Sequence, residues 1–425
     1  MGQYDRKAQS QRKHGPILSS STSKAPTRLP PSTKPEWRGS GYTKKAKPKP
    51  HLDVAKPVPI SQEQLLPLEL QQLVLNAFKD VFSELMDFEE LKGVLGEVVK
   101  EVGEGRWEEA FMEEGKREVY AVRWGPCRAL AYANVLAAIC EQRSEDDWVQ
   151  RITGLSQSSK AKTICFGGGA AEVMAFAGLL RHLRPDASGK QQQELDASTT
   201  DDTSNTTSLL AITLIDVADW SPVLDKLVKG ITTPPPLSKY ASASARAANR
   251  ALLAPQILNV NFQHHDIFNL KTTQLKELLG TTEEPVLATF FLTLGHLYDT
   301  SIPKTTAFLY KLDAVLPVGS TILVIDSIGA SVSVPIPDFE EATEYSVSWL
   351  LSRVLLGKPA DPVPIQGKGK KAIEEDEANK PIPRWEKIMH EEMKINRLDE
   401  KLRYPGSLEN VKFQILAFRR VYIGA

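Results

Sequence analysis

Cysteine is scarce in this chain of 425 residues, which contains only Cys127, Cys140 and Cys165. Three scattered cysteines exclude a disulfide framework and a zinc cluster, and they favour a reducing compartment. The sequence also lacks an apolar run of the length that spans a membrane, and its first residues lack the apolar segment of a signal peptide. We therefore expect a soluble, intracellular protein that holds no metal ion.

Acidic and aliphatic residues are both rare in residues 1–60. That segment carries thirteen Lys or Arg residues against Asp5, Glu36 and Asp53, although the net charge of the whole chain is only −1. A segment of this kind, rich in Ser, Thr and Pro, cannot bury enough apolar surface to fold alone, so it predicts a disordered basic tail. The run TKKAKPKP at 43–50 is compatible with a solvated leader and with an arm that binds polyanions or directs nuclear import.

Residues 61–158 show no clear strand pattern and predict a helical subdomain. Apolar residues recur there at spacings of three and four, first in LLPLELQQLVLNAF (65–78) and then in VFSELMDFEELKGVLGEVVKEV (81–102). A second strong helical segment is RWGPCRALAYANVLAAICE (123–141), and Gly125-Pro126 indicates its start.

From 159 to 425 short β-branched runs alternate with helical patterns. Five strands are predicted, at TICF, AITLIDVA, ILNVNFQHHDIF, PVLATFFLTLGHLYD and TILVID. This alternation predicts an α/β fold, a Rossmann-like and mostly parallel sheet with helices on both faces. Low-complexity insertions interrupt it at 187–207 and 357–381. A short helix near RWEKIMHEEM and a last strand at VKFQILAFRRVYI complete the prediction.

Three consecutive glycines stand where the first of these strands passes into a helix. Gly167, Gly168 and Gly169 permit a tight turn there, and the missing side chains let a ligand approach the backbone at the positive end of the following helix. The alternative is a turn with a structural role alone.

Acidic residues end the next two strands. Asp216 follows AITLI, where a carboxylate can accept hydrogen bonds from both ribose hydroxyls of a nucleoside. Asp266 follows the third strand, where it can receive an adenine amino group. The distance in sequence from Gly169 to Asp216 exceeds the usual gap of about 20 residues, and the insertion at 187–207 accounts for most of the excess. Either acid alone is also compatible with a plain strand-end turn.

Glu172, three positions after the last glycine, favours one class of cofactor. In the dinucleotide pattern G-x-G-x-x-G the third glycine would fall at Glu172, where a carboxylate repels a pyrophosphate. S-adenosylmethionine (SAM) has no phosphate and carries positive charges, so it tolerates this carboxylate. Methyl transfer is therefore favoured over hydride transfer, and an NAD(P)-dependent oxidoreductase is kept as the alternative.

These motifs resemble those of the class I SAM-dependent methyltransferases. Their first motif, D/E-x-G-x-G-x-G, aligns its glycine places with Gly167, Gly169 and Ala171, while its acid falls at Cys165. This departure leaves Glu172 to hold the methionine ammonium group.

The resemblance extends to the later motifs of the same family. It implies that Asp216 and Asp266 are the second-motif and third-motif acids. It also places ATFFLTLGHLYD in the fourth motif, with Leu294 among the cofactor-binding residues.

Three strings narrow the resemblance further. CFGGGAAEVMAFA, GPCRALAY and YPGSLENVKF together resemble a fungal group of 25S rRNA methyltransferases that modify N3 of a uridine, over roughly 60–425. The resemblance implies large-subunit rRNA or a pre-ribosomal particle as partner, action as a monomer, and a nucleolar, nuclear or cytoplasmic location. The alternative is a catalytically inactive protein that binds pre-ribosomal RNA.

Candidate catalytic residues follow strands four and five, where such folds bind ligands. His296 has the pKa range of a general base for the N3 proton, Tyr298 is placed to stack on a base, and Asp326 ends strand five. Packing roles are the alternatives for the histidine and the tyrosine. No D/N-P-P-Y tetrad is present, which argues against methylation of an exocyclic amino group.

Two further sets of residues invite an RNA interpretation. Cys127 stands beside a proline, as in pyrimidine C5 methyltransferases, but its place at a predicted helix start favours a structural role. The other alternative is a position that faces the substrate or the cofactor, with Arg128 as a phosphate contact. Arg419-Arg420 and Arg384-Trp385 combine charge with an aromatic face, which suits RNA, although plain solvation also explains them.

Overall fold

The computed structural model of the chain describes residues 64–86, 88–155, 160–188, 209–280, 284–334, 343–357 and 383–422. All of them lie in one unit, Lys56–Ala425. The predicted basic tail at 1–60 and nearly all of the insertions at 187–207 and 357–381 lie outside the described residues.

A mixed sheet forms the centre of the described part of the chain. Its strands are β1 (Ala161–Phe166), β2 (Leu210–Asp216), β3 (Leu258–His264), β4 (Leu287–Phe291), β5 (Thr321–Asp326), β8 (Pro383–Asn396) and β9 (Val411–Tyr422), while β6 (Ser331–Val334) and β7 (Thr343–Ser346) form a separate pair. The order is β3-β2-β1-β4-β5-β9-β8. Strands β1 to β5 pair in parallel, and β9 pairs antiparallel with both β5 and β8. The predicted Rossmann-like α/β fold is therefore confirmed.

Helices precede the sheet, connect its strands and cover both of its faces. They are α1 (Leu68–Val81), α2 (Phe88–Gly103), α3 (Trp107–Met112), α4 (Glu114–Gln142), α5 (Asp147–Thr153), α6 (Ala170–Leu183), α7 (Ser221–Thr232), α8 (Ala243–Ala248), α9 (Thr272–Leu279), α10 (Leu294–Thr300), α11 (Ile302–Val315) and α12 (Val347–Leu356). Short 3₁₀ turns lie at Ser83–Met86, Pro185–Ser188 and Ile267–Asn269.

The core is split between the two faces of the sheet. Successive side chains of a strand point to opposite faces, and β1 shows this directly. Cys165 belongs to the hydrophobic cluster that contains residues of α1, α4, α6 and α7, whereas Ile164 and Phe166 belong to the cluster with α9, α11 and α12. The helical region at 64–155 thus shares its core with the sheet, and its predicted boundary at 158/159 remains a prediction.

The prediction that a helix starts at Gly125-Pro126 is wrong. Helix α4 begins eleven residues earlier, at Glu114, and Pro126 lies inside it. Gly125 has a packing role instead, because a Cβ there would lie 2.8 Å from Cε1 of Phe78 on α1. The glycine lets α1 and α4 approach closely, and Cys127 consequently lies within the helix and not at its start.

The predicted short helix near RWEKIMHEEM is also wrong. This segment is most of strand β8, which pairs along β9 with irregularities between Lys387 and Met389 and between Glu391 and Lys394. Helix-favouring residues such as Glu, Lys and Met dominate its composition, but the ladder that the long apolar strand β9 offers outweighs that local preference. The β6–β7 pair was not predicted.

Candidate functional site

A cavity of about 740 Å³ opens at the carboxyl ends of the parallel strands. Strand order reverses between β1 and β4, and crevices at such a point bind ligands in open α/β sheets. Six of the predicted site residues share the lining of this cavity: Gly167, Gly169, Glu172, Asp216, Asp266 and His296. Residues of α3 and α4 line its other side.

The glycine turn has a steric reason at each position. Gly167 adopts φ +69°, and a Cβ there would lie 2.4 Å from the Thr293 side chain after β4. A Cβ on Gly168 would lie 2.6 Å from that of Cys165, so Gly168 faces the core. Gly169 meets the Trp220 ring, 3.3 Å from the Cβ position. The turn is therefore structural, and it also leaves bare peptide at the cavity wall.

Glu172 lies at the start of α6 with its carboxylate inside the protein. The side chain is 5% exposed, and Oε2 accepts a hydrogen bond of 2.7 Å from the backbone N–H of Gly169. Burial raises the pKa of Glu172 to about 7, against the opposing effect of that hydrogen bond and of nearby Arg128. A cation bound in the cavity would hold this carboxyl in its ionised form.

Asp216 ends β2 and also lines the cavity. Its Oδ1 accepts a hydrogen bond of 2.7 Å from the backbone N–H of Ala218. Burial raises the pKa of Asp216 to about 6. Hydrogen bonds from ligand hydroxyl groups would stabilise the ionised form, and the carboxylate retains acceptor positions for them.

Asp266 follows β3 and starts the 3₁₀ turn at Ile267–Asn269. Oδ1 accepts from the backbone N–H of Phe268 at 2.9 Å, and Oδ2 accepts from Nδ2 of Asn269 at 2.8 Å. The acid thus fixes a short turn whose apolar residues Ile267 and Phe268 also line the cavity.

His296 projects from α10 into the cavity, and Asp326 lies beneath it. The imidazole is solvent-accessible through the cavity, yet surrounding protein atoms lower its pKa against the opposing effect of Asp326 and Asp299. Asp326 is 3% exposed, and its oxygens accept backbone hydrogen bonds from Gly295 at 2.7 Å and Ser327 at 2.8 Å. Asp326 therefore anchors the start of α10 and does not itself line the cavity.

Three other predicted residues also lie away from the cavity lining. Cys165 is buried in β1, and burial raises its pKa. Leu294 and Tyr298 are buried in the hydrophobic cluster beneath α10, with Tyr298 only 1% exposed and its pKa raised by burial. The structure does not bring Tyr298 to a position from which it can stack on a ligand.

Sequence reasoning missed an aromatic wall that the helical region contributes to the cavity. The wall consists of Trp107, Phe111, Tyr120 and Trp124 from the helical region, together with Trp220 after β2. Aromatic residues in a helical segment usually indicate core, and no spacing rule places α3 over strand ends from another part of the chain. The strings RWEEAF and YAVRW therefore do not indicate a binding site without the tertiary structure.

Arg128 on α4 adds a positive charge to the same wall. Its Nη1 donates to the hydroxyl of Tyr120, and its guanidinium lies 5.1 Å from that ring centroid. Burial disfavours its charge, but Tyr120, Tyr132 and Glu172 outweigh that penalty and raise its pKa. The cavity thus contains a fixed cation and a titrating carboxyl in one neighbourhood.

Two of the strings that carried the family resemblance meet in space. Cys127 accepts a hydrogen bond of 3.2 Å at Sγ from the backbone N–H of Glu409, and Tyr404 donates to the carbonyl of Val122 at 3.1 Å. The Glu409 carboxylate pairs with Arg123. Burial raises the pKa of the Cys127 thiol. These contacts favour the structural role of Cys127.

The RNA interpretation of Arg419-Arg420 and Arg384-Trp385 does not fit the structure. Arg419 pairs with the buried Asp146 at 3.0 Å, and Arg420 pairs with Asp313 at 3.4 Å. Trp385 is 6% exposed and donates through Nε1 to Asp313 at 2.8 Å. Arg420 and Trp385 hold the β8–β9 edge to Asp313 on α11, and Arg419 holds it to Asp146 before α5, so the buried Trp385 offers no aromatic face to a ligand.

Fold and site together define an α/β protein with a nucleoside-type site at the switch point of its sheet. The antiparallel strand β9 beside β5 departs from a dinucleotide-binding sheet, in which a second parallel half continues the order. Residues 78–419 match the family described as "Putative SAM-dependent methyltransferase", and the chain belongs to this family. SAM is therefore its cofactor, and the oxidoreductase alternative is set aside.

Individual relatives are similar to most of the chain. The "25S rRNA (uridine(2843)-N(3))-methyltransferase" of Saccharomyces cerevisiae (strain ATCC 204508 / S288c) is 25% identical over 374 residues, covering 86% of this chain and 88% of the relative. A SAM-dependent methyltransferase structure from Methanosarcina mazei is 9% identical, covering 64% of this chain and 97% of that one, with a TM-score of 0.27. One from Clostridium acetobutylicum ATCC 824 is 9% identical, covering 68% and 96%, with a TM-score of 0.27.

The residues present fit SAM. A Cβ at Gly167 or Gly169 would collide with or crowd the side chains across the turn, so this part of the wall stays free of side chains. The cavity combines acids at the ends of β2 and β3, a buried carboxyl at Glu172 and apolar residues at 267–268. Within the described residues no cluster of three or more His, Cys, Asp or Glu forms a metal site, and no helix there has the length and apolarity to cross a membrane.

Proposed function

We propose that this chain transfers a methyl group from SAM to N3 of a uridine in large-subunit rRNA. One observation carries the proposal: the relative named for that reaction matches 86% of this chain, and that match spans the cofactor turn, the aromatic wall and His296. A cavity with one polar end and one aromatic end supports it, since a nucleoside cofactor and an unstacked base need those two environments.

The polar end of the cavity would hold the cofactor. Asp216 accepts hydrogen bonds from the ribose hydroxyls, and Glu172 pairs with the methionine ammonium in place of the first-motif acid. Arg128 faces the methionine carboxylate from α4. The turn at Asp266 binds the adenine, with Phe268 as an apolar contact. When bound, SAM supplies an electrophilic methyl group.

The residues of α10 would act on the substrate. His296 is neutral at physiological pH because its pKa is lowered, so its imidazole can accept the proton that uracil N3 loses. Asp326 holds the start of α10 and so fixes the position of His296. Orientation of the nucleophile supplies the rest of the rate enhancement.

Charge at the N-terminus supports an RNA substrate. Residues 1–60 have a strong excess of Lys and Arg, and such a segment binds polyanions with salt-dependent, sequence-independent affinity. We infer that the protein acts as a monomer on rRNA or pre-ribosomal particles during ribosome biogenesis. The nucleolus or nucleus, with the cytoplasm as the alternative, is the expected place.

Mass spectrometry of rRNA nucleosides from cells with and without the protein tests the reaction. Loss of 3-methyluridine from large-subunit rRNA is expected when the protein is removed, with restoration by the wild-type chain but not by Asp216→Ala. Unchanged nucleosides would contradict the proposal. The inactive RNA-binding alternative predicts rRNA binding without SAM affinity, which calorimetry on the purified chain measures directly.

A further inference from the structure

Trp107 lies at the end of the aromatic wall that faces His296. Their ring centroids are 4.3 Å apart with an angle of 57° between the planes. Trp107 comes from α3 in the helical region, whereas His296 comes from α10 after β4. The contact therefore joins two distant parts of the chain directly above the predicted general base.

The same wall reaches the cofactor end of the cavity. Phe111 lies 6.1 Å from Trp107 and 5.5 Å from Trp220, measured between ring centroids. Trp220 in turn packs against Gly169 of the glycine turn. A flat group resting on the wall near Trp107 would thus share one cavity with the cofactor, as methyl transfer requires.

The other rings of the wall already have partners. Phe111 contacts Trp107, Tyr120 and Trp220, and Tyr120 contacts Trp124 and the guanidinium of Arg128. Trp107 has ring contacts to Phe111 and His296 alone among the described residues, and it is only half-buried. Among the described residues it is the ring of this wall that contacts the His296 ring.

Charge around Trp107 favours a base over a phosphate. Glu108 and Glu109 follow it, are exposed, and line the cavity rim, while the cation before it, Arg106, is already paired with Glu104. Carboxylates repel a phosphate at this place, whereas an uncharged nucleobase can stack on an aromatic face. The ligand class that fits is therefore an unpaired base turned into the cavity.

We propose that Trp107 is the stacking platform for the target pyrimidine and holds it beside His296. This inference rests on the proposed function, because it names where the RNA substrate of that reaction binds. It predicts that the π face of residue 107 matters for RNA and not for SAM. Phe keeps such a face, and Leu keeps apolar volume without one.

The test compares Trp107→Leu, Trp107→Phe and wild type on unmethylated large-subunit rRNA from cells that lack the protein. Kinetics give kcat and KM for RNA, filter binding gives the RNA Kd, and calorimetry gives the SAM Kd. Trp107→Leu is expected to lose about 5- to 150-fold in kcat/KM for RNA, which is the equivalent of the about 1–3 kcal/mol that stacking contributes per base. Trp107→Phe should stay within about threefold of wild type, and both should bind SAM as wild type does.

A matched control is Trp349→Leu, which removes a 51% exposed tryptophan whose ring centroid lies 5.2 Å from that of Tyr345, outside the cavity lining. It should leave RNA kinetics unchanged. Wild-type kcat/KM in Trp107→Leu would overturn the platform while leaving the proposed function intact. Equal loss of SAM affinity and RNA turnover in both Trp107 variants would also overturn it, because it would indicate a packing role. If wild type transfers no methyl group to rRNA, the proposed function fails and the platform fails with it.

Discussion

Asp326 at the end of β5 accepts a hydrogen bond of 2.7 Å from the backbone N–H of Gly295, the residue before His296. The other carboxylate oxygen accepts from Ser327 at 2.8 Å. A buried carboxylate that accepts hydrogen bonds from two backbone N–H groups fixes the position of the backbone on either side of it. The structure therefore favours a positioning role for a residue that sequence reasoning treated as catalytic.

Asp326→Ala should lower kcat at least about tenfold, because the backbone N–H of Gly295 loses its acceptor and the start of α10 no longer fixes the position of His296. SAM affinity should stay within about threefold. Asp326→Asn keeps one acceptor oxygen, so its kcat should lie between those of wild type and Asp326→Ala. Both variants should also move the acidic limb of the kcat–pH profile to lower pH, since Asp326 raises the pKa of His296. A wild-type kcat in Asp326→Ala would contradict the positioning role, and an unmoved limb would contradict the effect of Asp326 on the pKa of His296.

Gly167→Ala tests whether the turn needs glycine for space as well as for conformation. Ala at φ +69° costs about 1–2 kcal/mol of backbone strain, and its Cβ would also collide with Thr293. We expect a free energy of unfolding lower by more than about 3 kcal/mol, together with a loss of SAM binding. Chemical denaturation and calorimetry measure the two effects.

Gly105→Ala is the matched control for that prediction. Gly105 has a nearly equal φ of +72°, but no atom lies within 4 Å of the Cβ position. It should therefore show the backbone strain alone. If Gly167→Ala and Gly105→Ala lower the free energy of unfolding equally, the contact between the new Cβ and Thr293 does not destabilise the protein.

Sequence patterns sufficed for the parallel half of the sheet and for the polar end of the site. The strands that end at Phe166 and Asp216 are short, apolar and followed by helix signals, so each local pattern agrees with the global fold. In parallel strands the carboxyl ends share one edge, which is why Gly167, Asp216 and Asp266 were expected together.

The antiparallel edge and the aromatic end depend on contacts between distant segments. Strand β8 has a composition that favours helix, and pairing with β9 decides its structure. Trp107 reaches His296 across nearly two hundred residues of sequence, which no local pattern records. Tyr298 follows His296 by two positions, which on a helix turns its side chain by about 200°, away from the cavity and into the core.

Glu172 should release a proton when SAM binds. Its pKa is about 7 in the free protein, so the carboxyl is partly protonated at neutral pH, and an ammonium partner lowers that pKa. SAM affinity should therefore decrease as the pH falls through about 7. Calorimetry in buffers of different ionisation enthalpy measures the released proton directly.

Two variants distinguish the titration of Glu172 from that of Asp216, the other carboxyl with a raised pKa in the cavity lining. Glu172→Gln removes the titrating group while it keeps an acceptor for Gly169, so proton release should disappear and SAM should bind about tenfold or more weakly. Asp216→Asn removes the group with a pKa of about 6 and should leave the release near pH 7 in place. Undiminished proton release from Glu172→Gln would show that another group pairs with the ammonium.

His296 should give kcat an acidic limb. Burial lowers its pKa, Asp326 and Asp299 oppose that shift, and Arg128 adds to it. The protonated imidazole cannot accept the N3 proton, so kcat should rise with pH through the lowered pKa and reach a plateau by neutral pH. Saturating SAM keeps the titration of the cofactor-binding acids out of this profile.

His296→Gln should lower the plateau by about 10²–10⁴-fold and remove the limb, because proton transfer then falls to solvent. His182→Gln is the matched control, since the pKa of His182 is also lowered by burial but the residue lies at the end of α6, outside the cavity lining. A limb that survives in His296→Gln would assign the base to another residue.

Cys127→Ala distinguishes structural from covalent use of this thiol. The sulfur lies inside α4, is 4% exposed, and accepts a hydrogen bond from the backbone of Glu409, while burial raises its pKa away from the reactive thiolate. We expect methyl transfer within about threefold of wild type and a free energy of unfolding lower by about 1–2 kcal/mol. A nucleophilic cysteine would instead lose activity by many orders of magnitude with little change in stability. Uracil N3 bears its own lone pair after proton loss, so methyl transfer to it requires no covalent step through sulfur. Single-turnover methylation and denaturant unfolding of the same preparation distinguish the two outcomes.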